Sequence, residues 1–115
     1  MKLAAIALLV GTLLLGACSS LIQTASIAEA YKHYQRQHYD RTLVLIAQAE
    51  NAKPVSAETK AELAYLKAMS YESLGDDETA DSLYQYLAQE HNHSQYGVMA
   101  VKKLSGSSST LGIQF

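Results

Sequence analysis

The hydrophobic and polar positions divide the chain into an apolar block near the N-terminus and a longer amphipathic stretch. The block runs from Leu3 to Leu15 without a charged side chain. After it, apolar residues recur at the spacing of helix turns. Ala, Leu, Gln and Glu are frequent, and the chain contains a single proline. This composition favours helix, so we predict an all-α protein with about five helices.

Capping residues and helix-stopping residues place the helix boundaries. Ser26 opens a capping box, S-x-x-E, which predicts the start of the first helix, and this helix should end near Gln37. Ser56 and Asp76 are the expected N-caps of the third and fourth helices, and Gly75 separates those two helices. The predicted helices therefore cover residues 26–37, 57–74 and 77–90, together with a second helix from 39 or 40 to 50 and a fifth helix from 94 or 95 to 104.

The end of the apolar block carries the most specific motif. A lysine, an apolar block and then small residues form the layout of a secretory signal peptide. The residues that follow directly, Leu15-Gly16-Ala17-Cys18, resemble the lipobox of bacterial lipoproteins. In that family the cysteine receives a diacylglyceryl group, the peptide is cut before it, and the new amine is acylated. The resemblance implies that Cys18 is the lipidated first residue. With Ser19 after it, it also implies anchoring in the outer membrane, on the periplasmic face.

An uncleaved membrane anchor is the alternative for the same segment. Leu3 to Ile22 approaches the roughly 20 apolar residues that cross a bilayer. Gly11 and Gly16 dilute this run, and a cysteine at the cleavage point is what the lipoprotein interpretation requires. Lipidation also accounts for the single cysteine, which would otherwise be an odd reactive thiol in an exported chain. We therefore prefer the lipidated form.

These features divide the chain into four segments. We expect a signal peptide at 1–17, a lipidated tether at 18–25, a helical domain at 26–104 and a flexible tail at 105–115. The tail is predicted because a Ser- and Gly-rich stretch buries too little apolar surface to order itself. The tether is short, so the domain should lie close to the membrane. The apolar end, Leu111 to Phe115, is either an inert tail or a docking peptide.

The second helix pair resembles the tetratricopeptide (TPR) repeat. Five residues fall at the spacings of that family's small residues, aromatic residues and turn glycine: Ala68, Tyr71, Gly75, Ala80 and Tyr84. The first pair is a degenerate copy, in which Gln37 replaces the turn glycine and Thr42 replaces the small residue. The resemblance implies TPR-like antiparallel helix pairs in an α-α superhelix, with the final helix as a cap.

TPR proteins bind protein partners in a groove lined by the first helix of each pair. Mapped onto this chain, the groove positions are Ile27, Tyr31, Tyr34, Glu62, Tyr65, Met69, Glu72, Tyr96 and Met99. Aromatic residues and methionine suit peptide capture. The alternative is that several of them pack between helices, and it stands equally for Tyr31, Tyr65 and Tyr96. Tyr71 and Tyr84 are expected in the core.

Charge and candidate chemistry favour binding over catalysis. The formal net charge of −2 argues against a nucleic-acid partner, which requires a basic stripe. Neither a nucleophile motif nor a Gly-rich phosphate loop occurs, so we expect no enzyme and no cofactor. His33 and His38 should lie on different helix faces. His91 and His93 should lie in a turn, so we expect no metal site.

The lipobox and the TPR-like repeat together resemble the helical lipoprotein of the outer-membrane β-barrel assembly machinery and the pilotins of secretins. This implies an accessory subunit or interaction scaffold in an envelope assembly or secretion complex. Repeat arrays need about three repeats for stability, so a protein partner or self-association should complete the fold. The alternative is a small envelope lipoprotein that binds a soluble ligand or enzyme, as an inhibitor or immunity protein.

Overall fold

A computed structural model describes the backbone of residues 2–112 and the side chains of residues 18–107. These residues form five helices and no strand, which confirms the all-α prediction. The helices are α1 (Lys2–Gln35), α2 (Tyr39–Asn51), α3 (Ala57–Ser73), α4 (Asp77–Glu90) and α5 (Gln95–Gly112).

The predicted start of the first helix is wrong. Ser26 is not an N-cap but lies inside α1, where it is buried with 3% of its surface exposed. The predicted tether, residues 18–25, is therefore helical. Gln23 provides a reason why α1 continues before Ser26. Its Nε2 atom donates to the carbonyl oxygens of Ala52 (2.6 Å) and Pro54 (3.2 Å). These bonds fix the preceding turn of α1 against the end of α2 and satisfy carbonyl groups that no helix bond uses.

Two matching turns end the first helix of each pair. The N–H groups of Gly75 and Asp76 donate to the carbonyls of Glu72 and Tyr71, a Schellman motif. Gln37 and His38 repeat these bonds at the end of α1. Gly75 has a φ of 85° and Gln37 a φ of 64°, so glutamine adopts the left-handed conformation that normally favours glycine.

The other predicted caps are confirmed. The Ser56 hydroxyl accepts from the N–H of Thr59 (3.1 Å), and an Asp76 carboxylate oxygen accepts from the N–H of Thr79 (3.2 Å). Each bond satisfies one N–H group that the first turn of a helix leaves unpaired. At the start of α5, the Ser94 hydroxyl accepts from the N–H of Gly97 (3.0 Å). The helices α2, α3 and α4 consequently begin and end within one residue of their predicted limits.

Two hydrophobic clusters hold the helices together. One joins α1, α2 and α3 through Ala30, Ile46 and Leu63, and the other joins α3, α4 and α5 through residues such as Ala68 and Ala100. Met69 packs against both clusters, so α3 is the central helix of the domain. Each helix also contacts the next, and α3 contacts α1 and α5 as well.

Several equivalent positions of the two helix pairs are fully buried in both. Three equivalent pairs illustrate this: Ala30 and Ala68, Thr42 and Ala80, and Ile46 and Tyr84. None of these six residues is more than 2% exposed. In the first pair, the Thr42 hydroxyl donates to the carbonyl of His38 (3.0 Å), so its polar group is satisfied inside the helix pair. The two pairs therefore pack alike although their residues differ.

The last helix is longer than predicted. It was expected to end at Leu104, but α5 continues to Gly112, so the predicted tail is helical as far as that residue. Leu104 packs against the second cluster and holds the preceding turn in place. Extending an existing helix requires little ordering per residue, so serine and glycine weaken this continuation without preventing it. Residues 113–115 lie outside the described residues, and with them most of the apolar C-terminal segment.

Candidate protein-binding face

The first helices of the two pairs and the cap share one surface, which we name the α1–α3–α5 face. It is defined by Tyr31, Tyr34, Glu62, Tyr65, Met69, Glu72, Tyr96 and Met99. On α3 the defining residues are three or four apart, which places them on one side of the helix. The contacts Tyr65–Tyr96 and Glu72–Lys103 show that α3 and α5 run in the same direction.

Tyr31 and Glu62 connect α1 to α3 on this face. The tyrosine hydroxyl donates to Oε1 of Glu62 at 2.9 Å. Burial of Tyr31, followed by this hydrogen bond and the charge of Glu62, raises the pKa of the phenol well above its usual range. Tyr96 of α5 lies close enough to contribute to the same shift. Ionisation of Tyr31 is therefore unfavourable, because the phenolate would lie beside the Glu62 carboxylate where little water is present.

A second network connects α3, α4 and α5 around Glu72. The Tyr84 hydroxyl donates to Glu72 Oε2 at 2.6 Å, and Lys103 Nζ donates to the same oxygen at 3.0 Å. Burial by itself raises the pKa of Glu72, but these hydrogen bonds and the lysine charge outweigh it, so the pKa is lowered. Burial and the bond to Glu72 raise the pKa of Tyr84.

Tyr65 forms the floor of the face. Its ring centroid lies 5.8 Å from that of Tyr84 and 5.9 Å from that of Tyr96, distances typical of interacting aromatic rings. Only 7% of Tyr65 is exposed, so it is a core residue and does not line an open groove. Burial also raises the pKa of its phenol. For this tyrosine, the packing alternative is the one that the structure supports.

The other predicted groove residues form the walls and rim. Ile27, Tyr31 and Tyr34 are half-buried against the first cluster, and Tyr96 is half-buried against the second. Glu62 and Met69 are also half-buried, whereas Glu72 and Met99 are exposed. Of the two tyrosines expected in the core, Tyr84 is buried and Tyr71 is half-buried. Sequence reasoning missed Lys103, although it lies two helix turns after Tyr96 and so on the same side of α5.

Two clefts lie at the ends of the α1–α3–α5 face. The larger, of about 640 Å³, lies between the start of α3 and the α4–α5 turn and is lined by residues that include Glu58, Glu90, His91, His93 and Tyr96. The smaller, of about 390 Å³, is lined by Glu72, Asp77, Asp81, Tyr84, Lys102 and Lys103 among others. Carboxylates contribute to both clefts.

The histidine prediction needs a correction. His33 and His38 do not point apart, because the chain reverses at Gln37 and brings their Nδ1 atoms within 3.4 Å. His33 Nε2 also lies 4.0 Å from a Glu29 oxygen. Within the described part of the chain, no three His, Cys, Asp or Glu side chains are arranged to hold a metal ion.

Cys18 is exposed on α1, one turn before Gln23 holds that helix against the α2–α3 loop. Residues 1–17, which precede it, have no described side chains. Within residues 18–107, no helix is long and apolar enough to cross a membrane.

Three tyrosines with raised pKa values predict a sensitivity to alkali. Because the pKa values of Tyr31, Tyr65 and Tyr84 are raised in the folded state, their contribution to stability is complete below the unfolded value of about 10. It is lost as the pH rises further. We expect late tyrosinate absorbance to appear together with loss of helical circular dichroism. In the variant Tyr84→Phe, the late absorbance should decrease by one tyrosine. A single ionisation of all eight tyrosines near pH 10, with the helices intact, would contradict the proposed networks.

On the α1–α3–α5 face, Tyr65 is buried at the base, Tyr31, Tyr34, Glu62, Met69 and Tyr96 are half-buried, and Glu72 and Met99 are exposed at the edge. No family model, curated protein or solved structure matches the chain significantly.

Proposed function

We propose that this protein is a lipid-anchored lipoprotein of the bacterial envelope that binds a protein partner on the α1–α3–α5 face. It serves as a non-enzymatic adaptor or accessory subunit in an envelope assembly or secretion complex. The anchor is the lipidated Cys18, and the membrane is the outer membrane. The observation that carries the binding role is the α1–α3–α5 face itself, built from three helices of one domain.

The rigidity of the face supports recognition. Tyr31 is fixed by its hydrogen bond to Glu62, and Tyr65 and Tyr96 are fixed by their ring contact, so little side-chain freedom is lost when a partner binds. Aromatic residues and methionine are enriched at protein interfaces for this reason and for their large contact area. Met99 is 38% exposed at the rim and offers an adaptable apolar contact.

The composition of the clefts indicates the chemistry of the partner. Glu58 and Glu90 line the larger cleft together with Tyr96. Glu72 lines the smaller cleft, and it remains partly exposed although it forms a salt bridge with Lys103. A segment that carries lysine or arginine beside apolar side chains complements these carboxylates and rings.

Photo-crosslinking in cells tests the binding role. A photoreactive amino acid at Met99 or Glu58 should give a discrete adduct with a membrane or envelope protein, because both positions border the α1–α3–α5 face. The matched control is Val44, which is 54% exposed on α2 and lies outside the residues that define the face.

Three outcomes are informative. Adducts from Met99 and Glu58 but not from Val44 support the adaptor and identify its partner. A soluble protein captured by the same two positions favours the inhibitor or immunity alternative. Equal crosslinking at all three positions, or none, contradicts the assignment of the face.

A further inference from the structure

Exposed apolar side chains follow the anchor residue on α1. Leu21 is 69% exposed and Ile22 is 50% exposed. They lie three and four residues after Cys18, which places them on the same side of the helix as the anchor. Because α1 is continuous through this segment, no flexible tether separates Leu21 and Ile22 from the lipid attachment point.

The loop between α2 and α3 is fixed beside this part of α1. The bonds from Gln23 to Ala52 and Pro54 flank Lys53 on both sides. As a result, Lys53 and Ile22 line the same cleft, of about 440 Å³. An exposed lysine and an exposed apolar residue therefore border one cleft, close to the anchor.

Lys53 also borders a second cleft, of about 270 Å³, which Lys60 and Lys67 line from α3. We name Lys53, Lys60 and Lys67 the lysine face. Its single acidic neighbour in this cleft, Glu50, pairs with Lys67 at 3.6 Å. Within residues 18–107, neither Lys53 nor Lys60 makes a salt bridge. This surface is therefore locally basic on a chain whose net charge is −2.

We propose that the lysine face, with Leu21 and Ile22, docks on the surface of an anionic phospholipid bilayer, the one that holds the anchor. Apolar side chains enter the boundary between headgroups and acyl chains, while lysines meet the lipid phosphates. The inference rests on the lipid anchor of the proposed function, because the anchor brings this surface to the bilayer.

Opposite charges on the two sides of α3 fix the orientation. Lys60 lines the basic cleft, whereas Glu58, two residues earlier, lines the acidic cleft at the end of the α1–α3–α5 face. An anionic bilayer attracts the first side and repels the second. Docking therefore leaves the α1–α3–α5 face directed away from the lipid and accessible to a partner.

Amine footprinting of the full chain tests this orientation. The protein, extracted in detergent, is reconstituted into vesicles of phosphatidylcholine with or without anionic phosphatidylglycerol. After flotation, the acetylation rate of each lysine is read by mass spectrometry. We expect acetylation of Lys53 and Lys60 to slow by about five-fold or more in the anionic vesicles. Lys102 should react equally in both, and high salt should abolish the difference by screening.

A charge reversal provides the matched comparison. The variant Lys60→Glu should reduce the protection of Lys53 in anionic vesicles by about five-fold, since each lysine near such a surface contributes about that factor. Lys102→Glu, a reversal at another exposed lysine, on α5, should leave the protection of Lys53 unchanged. Both side chains are at the surface, so circular dichroism should show the same helix content in the two variants.

The outcomes separate this inference from the function on which it rests. A chain that floats with the vesicles but shows equal lysine rates with and without phosphatidylglycerol overturns the docking inference and leaves the anchor intact. A chain that does not float overturns the anchor, and with it both the proposed function and the docking. Protection of Lys53 and Lys60 that depends on phosphatidylglycerol supports the inference.

Discussion

Replacement of Cys18 by alanine is expected to abolish lipid attachment completely. In bacteria fed a clickable fatty acid, the natural protein should carry the label and begin at Cys18, whereas Cys18→Ala should carry none and keep residues 1–17. The thiol is exposed on α1 and is the only cysteine of the chain, so no second site can take the lipid. Each buried methylene contributes about 0.8 kcal/mol, so an anchor of several chains is effectively permanent.

Ser19→Ala is the control for this experiment, because it changes the next residue and leaves the thiol in place. It should retain the label and the same N-terminus. A natural protein that carries no lipid and still begins with residues 1–17 would support the uncleaved anchor instead. Intact-mass measurement of the purified chain separates these two forms directly.

The second large effect is expected from Gly97→Ala. Gly97 is buried in the first turn of α5, and a Cβ atom there would overlap the carbonyl group of His91 and crowd the Cα of Asn92. Backbone atoms cannot rotate away as a side chain can, so the α4–α5 turn must shift. We expect a loss of about 1–3 kcal/mol in the free energy of unfolding. For a domain of this size, Tm should fall by roughly 4–8 °C per kcal/mol.

Gly106→Ala is the matched control in the same helix. A Cβ atom at Gly106 meets no atom within 4 Å. Alanine is also the better helix former by about 1 kcal/mol, so this variant should be unchanged or more stable. Thermal unfolding of the full chain in mild detergent, followed by circular dichroism, compares the two. Equal stability of both variants would mean that the close α4–α5 turn is wrong.

Local signals in the sequence were sufficient for most of the fold. Ser56 and Asp76 cap α3 and α4 as predicted, because a capping bond joins residues only three positions apart. Gly75 ends α3 as predicted, because a left-handed turn conformation favours glycine. Gln37 adopts a similar conformation without the glycine signal, and its role followed only from comparison with the second pair.

A long-range contact caused one error, and a turn that carries no glycine signal caused another. Ser26 has the sequence of a cap, but Gln23 finds its partners in the α2–α3 loop and the helix continues past it. The meeting of His33 and His38 depends on the reversal at Gln37. Helix propensity and capping patterns contain no information about such partners, because they describe interactions within a few residues.

The sequence by itself determined that the chain is helical and where most helices begin and end. It did so because helix periodicity and capping are short-range. Only the tertiary structure decided that Tyr65 is buried while Met99 is exposed, and that Tyr84 and Lys103 both bind Glu72. It also placed Lys53 and Ile22 at one cleft, near the Cys18 turn of α1. These relations depend on how the helices pack, since burial and long-range charge contacts are set by the distances between them.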